Sequence, residues 1–89
     1  MSMHGSHPEI VKRLKRAEGH LRSIITMLEE QRSCLDIAQQ LQAVESAVGN
    51  AKKTLVHDHI DHCLEHAVRS GSQSVDDTIR EFKTITRYL

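Results

Sequence analysis

Apolar residues recur along this chain at alternating spacings of four and three residues, the period of a helix that packs along one face. The first run follows Pro8, which suits the first turn of a helix, and Ser6 with Glu9 has the spacing of a capping box. Its members are Ile10, Leu14, Ala17, Leu21, Ile24 and Leu28. The pattern predicts a first helix that begins near Pro8 and ends near Glu30–Gln31.

A second run of the same period follows Ser33, which with Asp36 again has the spacing of a helix cap. Its members are Ile37, Leu41, Val44, Val48, Ala51 and Leu55, with further apolar residues at Ile60, Leu64 and Ala67. Gly49 is its strongest interruption and costs about 1 kcal/mol relative to alanine in a helix interior. We therefore predict one long helix that ends near Ser70-Gly71.

The remainder of the chain predicts a short third helix. Ser74, with Asp77 three residues later, marks its start. Its apolar residues are Val75, Ile79, Phe82 and Leu89. The 89 residues include one proline, four glycines and no tryptophan, a composition that fits an all-α protein. We predict a three-helix subunit, with residues 1–7 as a flexible N-terminal arm and residues 8–89 as one helical domain.

Composition also limits where the protein works. No apolar run approaches the roughly 20 residues that a membrane span needs, and no signal-peptide pattern opens the chain. Two cysteines without secretory features suggest a reducing compartment that keeps thiols available for metal binding. We expect a cytoplasmic protein with no membrane partner.

The segment from His57 to His66 holds four of the seven histidines and one of the two cysteines. Within a helix, His59 and Cys63 lie four residues apart and project from the same face. An imidazole and a thiolate in this arrangement form half of a site for copper(I), nickel, cobalt or zinc. His62 and His66 share the four-residue spacing and are weaker candidates, because the face with Cys63 should be the one turned toward a partner.

The other cysteine, Cys34, opens the long helix and is separated from His59 by roughly 37 Å along a straight helix. These two residues cannot share a metal within one chain. Two long helices packed antiparallel would bring Cys34 of one chain beside His59 and Cys63 of the other, with two equivalent sites under two-fold symmetry. A chain this short also gains stability from oligomerisation, so we expect a homodimer and a further step to a homotetramer.

Lysines and arginines equal aspartates and glutamates at 12 each, so any basic surface depends on how the charges are distributed. The first helix is strongly basic, and the long helix adds two lysines. Phosphate neutralisation dominates affinity for DNA, which makes these side chains candidates for backbone contacts. The candidates are Lys12, Arg13, Lys15, Arg16, Lys52 and Lys53.

Four segments of the chain closely resemble the bacterial CsoR/RcnR repressors. They are Arg13-Leu14-Lys15-Arg16-Ala17-Glu18-Gly19-His20-Leu21-Arg22, Ser33-Cys34-Leu35-Asp36-Ile37, Gln40-Leu41-Gln42-Ala43-Val44 and His59-Ile60-Asp61-His62-Cys63. The resemblance implies a dimer of dimers that binds operator DNA when empty and releases it when an inducer binds. It also implies that Cys34 of one subunit joins His59 and Cys63 of its partner as metal ligands.

Branches of this family differ at these positions. Having both His59 and Cys63 argues against the formaldehyde and persulfide sensors, which lack one or the other. The sulfur-rich triad suits trigonal copper(I), whereas His4 and His7 could add the nitrogen that nickel or cobalt geometry requires. The copper branch usually has tyrosine where this chain has Ser33, and the opening segment resembles the nickel- and cobalt-responsive DmeR-type members. The resemblance thus favours nickel or cobalt, with copper(I) as the alternative.

Two other function classes compete with a metal-responsive repressor. A metal-buffering protein would use the same ligands without a basic face or metal-linked DNA release. An enzyme would need a nucleophile with its base, or a metal with an open position beside a substrate cleft. We find no such constellation in the sequence and predict that the chain is not an enzyme.

Overall fold

The structure of the protein is a computed structural model, and it describes residues 5–70 and 75–89. Three α-helices account for most of this part of the chain: α1 (His7–Glu29), α2 (Cys34–Ser70) and α3 (Val75–Ile85). A short 3-10 helix, Thr86–Tyr88, follows α3. The described residues contain no strand, so the predicted all-α class is confirmed. The long second helix ends where the sequence predicts, and α1 begins one residue earlier, at His7.

The end of α1 is closed by a backbone motif that places one residue in the left-handed region. The amide of Arg32 donates to the carbonyl of Met27 over 2.9 Å, and the amide of Gln31 donates to that of Leu28 over 3.1 Å. This pair of bonds is the Schellman motif, whose left-handed position is usually glycine. Here Gln31 occupies it, with φ of 57°. The side chain makes this conformation costly, because a Cβ crowds the next carbonyl oxygen.

Gln31→Gly is expected to raise the free energy of unfolding by about 1 kcal/mol, because glycine adopts positive φ without that crowding. Chemical denaturation at one fixed protein concentration measures the change, since oligomers unfold in a concentration-dependent way. Gln39→Gly is the matched control, because Gln39 is exposed inside α2 and glycine there should destabilise by about 1 kcal/mol. Equal changes in the two variants would contradict the prediction.

The start of α2 follows the predicted cap. The Oγ of Ser33 accepts a hydrogen bond from the amide of Asp36 over 3.1 Å, and the carbonyl of Ser33 accepts the first helical bond from Ile37. The first bond satisfies an amide that a helix N-terminus otherwise leaves unpaired, and the second is the first regular hydrogen bond of the helix. Cys34 is consequently the first residue of α2, where its side chain is exposed.

The chain divides into two compact units, and the first comprises residues 8–51. Its core contains Ile24 from α1 with Ile37 and Val44 from α2, and Met27 packs against them. Ile24 is 2% exposed, so this cluster is where α1 and the first half of α2 exclude water. Burial of apolar side chains of this size contributes about 1.5–3 kcal/mol each.

The second unit comprises residues 1–7 and 52–89. Val56, Cys63 and Thr78 are buried in it, whereas Ile79 and Leu89 of the predicted apolar stripe are exposed and Phe82 is half-buried. None of the described helices is apolar over a stretch long enough to cross a bilayer. The single domain predicted for residues 8–89, and the arm before it, stay predictions.

Each predicted apolar run is half buried and half exposed. The buried positions recur every seven residues and are Ile10, Ala17 and Ile24 in α1 and Ile37, Val44 and Ala51 in α2. The alternate positions are between 38% and 56% exposed and are Leu14, Leu21, Leu28, Leu41, Val48 and Leu55. A single chain therefore leaves one apolar stripe on each long helix accessible, as an oligomer-forming subunit would.

Candidate metal centre and basic groove

Three potential metal-ligating side chains from α2 and α3 meet in the second unit. His59, Cys63 and Glu81 present ligand atoms that all lie within 4.8 Å of one another. His59 and Cys63 share a face of α2, as their four-residue spacing predicts, and Glu81 is contributed by α3. The cluster offers one nitrogen, one sulfur and one oxygen donor, a set that borderline metals accept.

The carboxylate of Glu81 accepts hydrogen bonds from both His59 and Cys63 of α2. The Nε2 of His59 lies 2.9 Å from Oε1 of Glu81, and the thiol of Cys63 donates a hydrogen bond to the same carboxylate. Cys63 is 3% exposed. Burial, followed by the negative charge of Glu81 and then the hydrogen bond to it, raises the pKa of the Cys63 thiol above its usual value. The thiol is therefore neutral near pH 7, and a metal must displace its proton to bind.

Glu81→Gln is expected to lower the pKa of Cys63 toward, but not to, its usual range, because the amide removes the charge and leaves the burial in place. The ultraviolet absorbance of the thiolate, titrated in a metal-free Cys34→Ala background, measures the shift. Asp61→Asn controls for the loss of one carboxylate charge, because Asp61 is an exposed acid on α2, the helix that carries Cys63.

The raised pKa also sets a direction for stability. A neutral buried thiol stabilises the folded chain fully below the usual thiol pKa, and this contribution is lost as the pH rises through the folded value. Glu81→Gln should therefore reduce the alkaline loss of stability. An unchanged titration of Cys63 in this variant would contradict the assignment of Glu81 as a cause of the shift.

The other predicted ligands have different placements. Cys34 is exposed at the start of α2 and belongs to the unit of residues 8–51, so it is not a member of the His59 cluster. His7 is half-buried and begins α1. His4 lies outside the described residues, as does the side chain of His66. His62 is exposed on α2.

A basic groove lies within the unit of residues 8–51. Its volume is about 400 Å³, and its lining comes from one face of α1 and one face of α2. The lining residues are Arg13, Arg16, Ala17, His20, Ala47 and Asn50. The two alanines of the lining have small side chains, and the two guanidinium groups make the groove a favourable place for an anion that can accept paired hydrogen bonds, such as a phosphate.

Sequence reasoning identified the two arginines of this groove but missed two other residues. His20 is half-buried, and its Nε2 contacts Oε1 of Gln40 on α2. Arg13, Arg16 and His20 are separated by three and four residues, which places them on one helix face. This spacing could have revealed His20 as a further residue of the groove. Asn50 carries no comparable signal, because its position depends on how α2 packs against α1.

The remaining candidate cations are all exposed. Lys12 and Lys15 lie on α1, and Lys52 and Lys53 lie on α2. Nε of Arg13 is 3.7 Å from a carboxylate oxygen of Glu9 one turn earlier, with both side chains well exposed, so this ion pair contributes little to stability.

Comparison with known proteins identifies the family to which this architecture belongs. The family model described as "Metal-sensitive transcriptional repressor" matches residues 6–87. The chain belongs to this repressor family. The match includes Cys34, His59, Cys63 and the basic groove, and it confirms the resemblance to the CsoR/RcnR proteins.

Individual relatives of the repressor differ in the metal that their names give. This chain is 40% identical over 81 residues to the copper-sensing transcriptional repressor CsoR of Bacillus subtilis, and the match covers 89% of this chain and 80% of that protein. It is 39% identical to the copper-sensing repressor RicR of Mycobacterium tuberculosis, over 79% of this chain and 73% of that one. The solved structure of the nickel-responsive regulator InrS matches with a TM-score of 0.84 and 30% identity, over 100% of this chain and 99% of that chain.

These relationships settle the class of activity. The family consists of transcriptional repressors, so the expectation that the chain is not an enzyme is confirmed. Membership implies DNA binding and oligomerisation. The metal is not fixed by membership, because both copper- and nickel-responsive proteins are among the relatives.

Proposed function

We propose that this repressor binds operator DNA in its metal-free form and releases it on binding nickel or cobalt, which derepresses genes for metal efflux. The observation that carries the proposal is the cluster of His59, Cys63 and Glu81, in which one nitrogen, one sulfur and one oxygen donor converge. We propose that Cys34 from a second copy of the chain completes the site. In this scheme the protein acts in the cytoplasm, where operators are accessible.

The exposed apolar positions of α2 support this shared site. They recur every seven residues at Leu41, Val48 and Leu55. An antiparallel pair of α2 helices with its two-fold axis at Val48 places Leu41 of one chain opposite Leu55 of the other. The same register places Cys34 opposite position 62 of the other chain, between His59 and Cys63. One apolar seam therefore serves both dimerisation and metal binding.

Donor chemistry separates nickel and cobalt from copper(I). A site of two thiolates and one imidazole satisfies copper(I), whereas nickel and cobalt take additional nitrogen or oxygen donors. His4 and His7 are candidates for the additional nitrogen. Glu81 is either an oxygen ligand or the group that orients His59, because metal-ligating histidines commonly donate their other ring N–H to a carboxylate.

For the DNA side, we propose that the basic groove receives a backbone phosphate. Arg13 and Arg16 make the strongest contacts, and Lys12, Lys15, Lys52 and Lys53 add positive charge around the operator. Recognition then depends on phosphate positions and DNA shape. Two dimers, joined through the exposed stripe of α1, would form a homotetramer with a longer basic surface.

Gel-shift titrations with operator DNA test the proposed function. Each metal is buffered by a competing chelator, and the free-metal concentration at which DNA is released is compared with the affinity of that metal for its chelator. On this scale, nickel(II) and cobalt(II) should release the DNA at a lower concentration than copper(I) does. The absorption spectra of the cobalt- and nickel-loaded protein should indicate more than three donors. Replacing His4 and His7 together should weaken nickel and cobalt binding and leave copper(I) binding almost unchanged. Unchanged nickel and cobalt affinity and spectra in the double variant would contradict the proposed metal.

A copper(I)-responsive repressor is the second candidate. Its support is the identity of about 40% to proteins named as copper sensors, together with two thiols in the ligand set. In that case a three-donor site would form without His4 and His7. A metal-buffering protein without DNA binding is the third candidate, and an absence of any operator complex in the metal-free state would favour it.

A further inference from the structure

A hydrogen bond joins the N-terminal segment to the middle of the metal-bearing half of α2. The Oγ of Ser6 donates to Oδ2 of Asp58 over 2.7 Å, across 52 positions of sequence, and the contact is partly buried. Ser6 directly precedes His7, and Asp58 directly precedes His59. Both partners belong to the unit that also contains Cys63 and Glu81. The bond therefore connects a histidine-bearing segment to the residue next to a proposed metal ligand.

The Ser6–Asp58 hydrogen bond is of a strong kind. Its acceptor is a carboxylate, and hydrogen bonds to charged groups are stronger than those between neutral groups. Ser6 and Asp58 are both half-buried, so water competes less for either group. Holding one residue of a terminal segment raises the effective concentration of its neighbours at the nearby site.

We propose that the Ser6–Asp58 hydrogen bond is a clasp that selects for metals with more than three donors. It keeps the nitrogen donor His7 beside the part of α2 that carries His59 and Cys63. Ser6 and Asp58 are positioning residues in this scheme, since neither binds the metal. The proposal rests on the proposed nickel or cobalt function and adds the residues that set the metal preference.

Loss of the clasp should affect metals unequally. A metal that needs the nitrogen of His7 loses affinity when the clasp is lost, because fixing the first turn of α1 at the site again costs conformational entropy on binding. A metal satisfied by two thiolates and one imidazole does not use the segment and keeps its affinity. A defect in folding, by contrast, would weaken the binding of every metal.

The test is a double-mutant cycle on the full-length protein with Ser6→Ala, Asp58→Ala and the combined variant. Chelator competition gives affinities for nickel(II), cobalt(II) and copper(I), and absorption spectra report the cobalt ligand field. Each single variant should bind nickel and cobalt about tenfold more weakly, the double variant no more weakly than either, and copper(I) binding should stay unchanged. Ser6→Thr retains a hydroxyl donor and should restore wild-type affinity.

Asp61→Ala is the matched control for charge, because Asp61 is an exposed acid three residues from Asp58 on the same helix. Wild-type nickel affinity and spectra in Ser6→Ala would overturn the clasp while leaving the proposed function intact. Additive losses in the double variant, or equal losses for copper(I), would also overturn it. A wild-type protein that binds nickel and cobalt through three donors alone would overturn both proposals.

Discussion

Alanine in place of Cys34, His59 or Cys63 is expected to abolish metal-driven release of operator DNA, while the metal-free variants still bind the operator. Each substitution removes one donor from a proposed three-donor core, and losing a direct ligand costs more than losing a supporting contact. Fluorescence anisotropy with labelled operator measures both properties in one titration. His57→Ala is the control, because His57 is exposed on the same helix and should leave the metal response unchanged.

The shared site makes a sharper expectation for mixtures of variants. A heterodimer of Cys34→Ala and His59→Ala chains contains one site that lacks both residues and one site that is complete. Mixing the two chains and refolding them together should therefore restore up to one site per heterodimer, or about a quarter of all sites in a random mixture. A mixture that binds no more metal than either variant alone would mean that the ligands do not come from two chains.

Arg13→Ala and Arg16→Ala are each expected to weaken operator binding and to lower its salt dependence. Removing one phosphate contact reduces the slope of log affinity against log salt concentration by about 0.9 for duplex DNA. Arg22→Ala is the matched control, because Arg22 is an exposed arginine of α1, beside Glu18, that does not line the basic groove. An identical slope in the wild type and both groove variants would exclude phosphate contacts by these arginines.

These arginine variants should keep their affinity for metal when DNA is absent, because the groove and the metal cluster use different residues. Coupling between two ligands is reciprocal, so a metal that releases DNA must bind more weakly to the operator complex than to the free protein. Titrating metal with and without saturating operator measures the difference. Equal affinities in the two titrations would exclude metal-driven release.

Of the three side chains in the metal cluster, the two on α2 could be predicted from the sequence and the one on α3 could not. His59 and Cys63 were predictable as neighbours because four residues complete about one helical turn, whatever the rest of the chain does. Glu81 was missed because it lies 18 residues beyond Cys63 in another helix. No local spacing reports which acid of α3 will face α2, since that choice depends on how the two helices pack.

The sequence by itself determined the three helices, the cap at Ser33 and the apolar faces of the two long helices, because helix period and capping depend on residues within about one turn of each other. It could not determine which half of each apolar run a single chain buries. Tertiary structure decided that Ile24, Ile37 and Val44 form a core, and it joined Ser6 to Asp58 across 52 positions. It also turned His20 toward Gln40. These contacts depend on the packing of whole helices against one another, which no local pattern encodes.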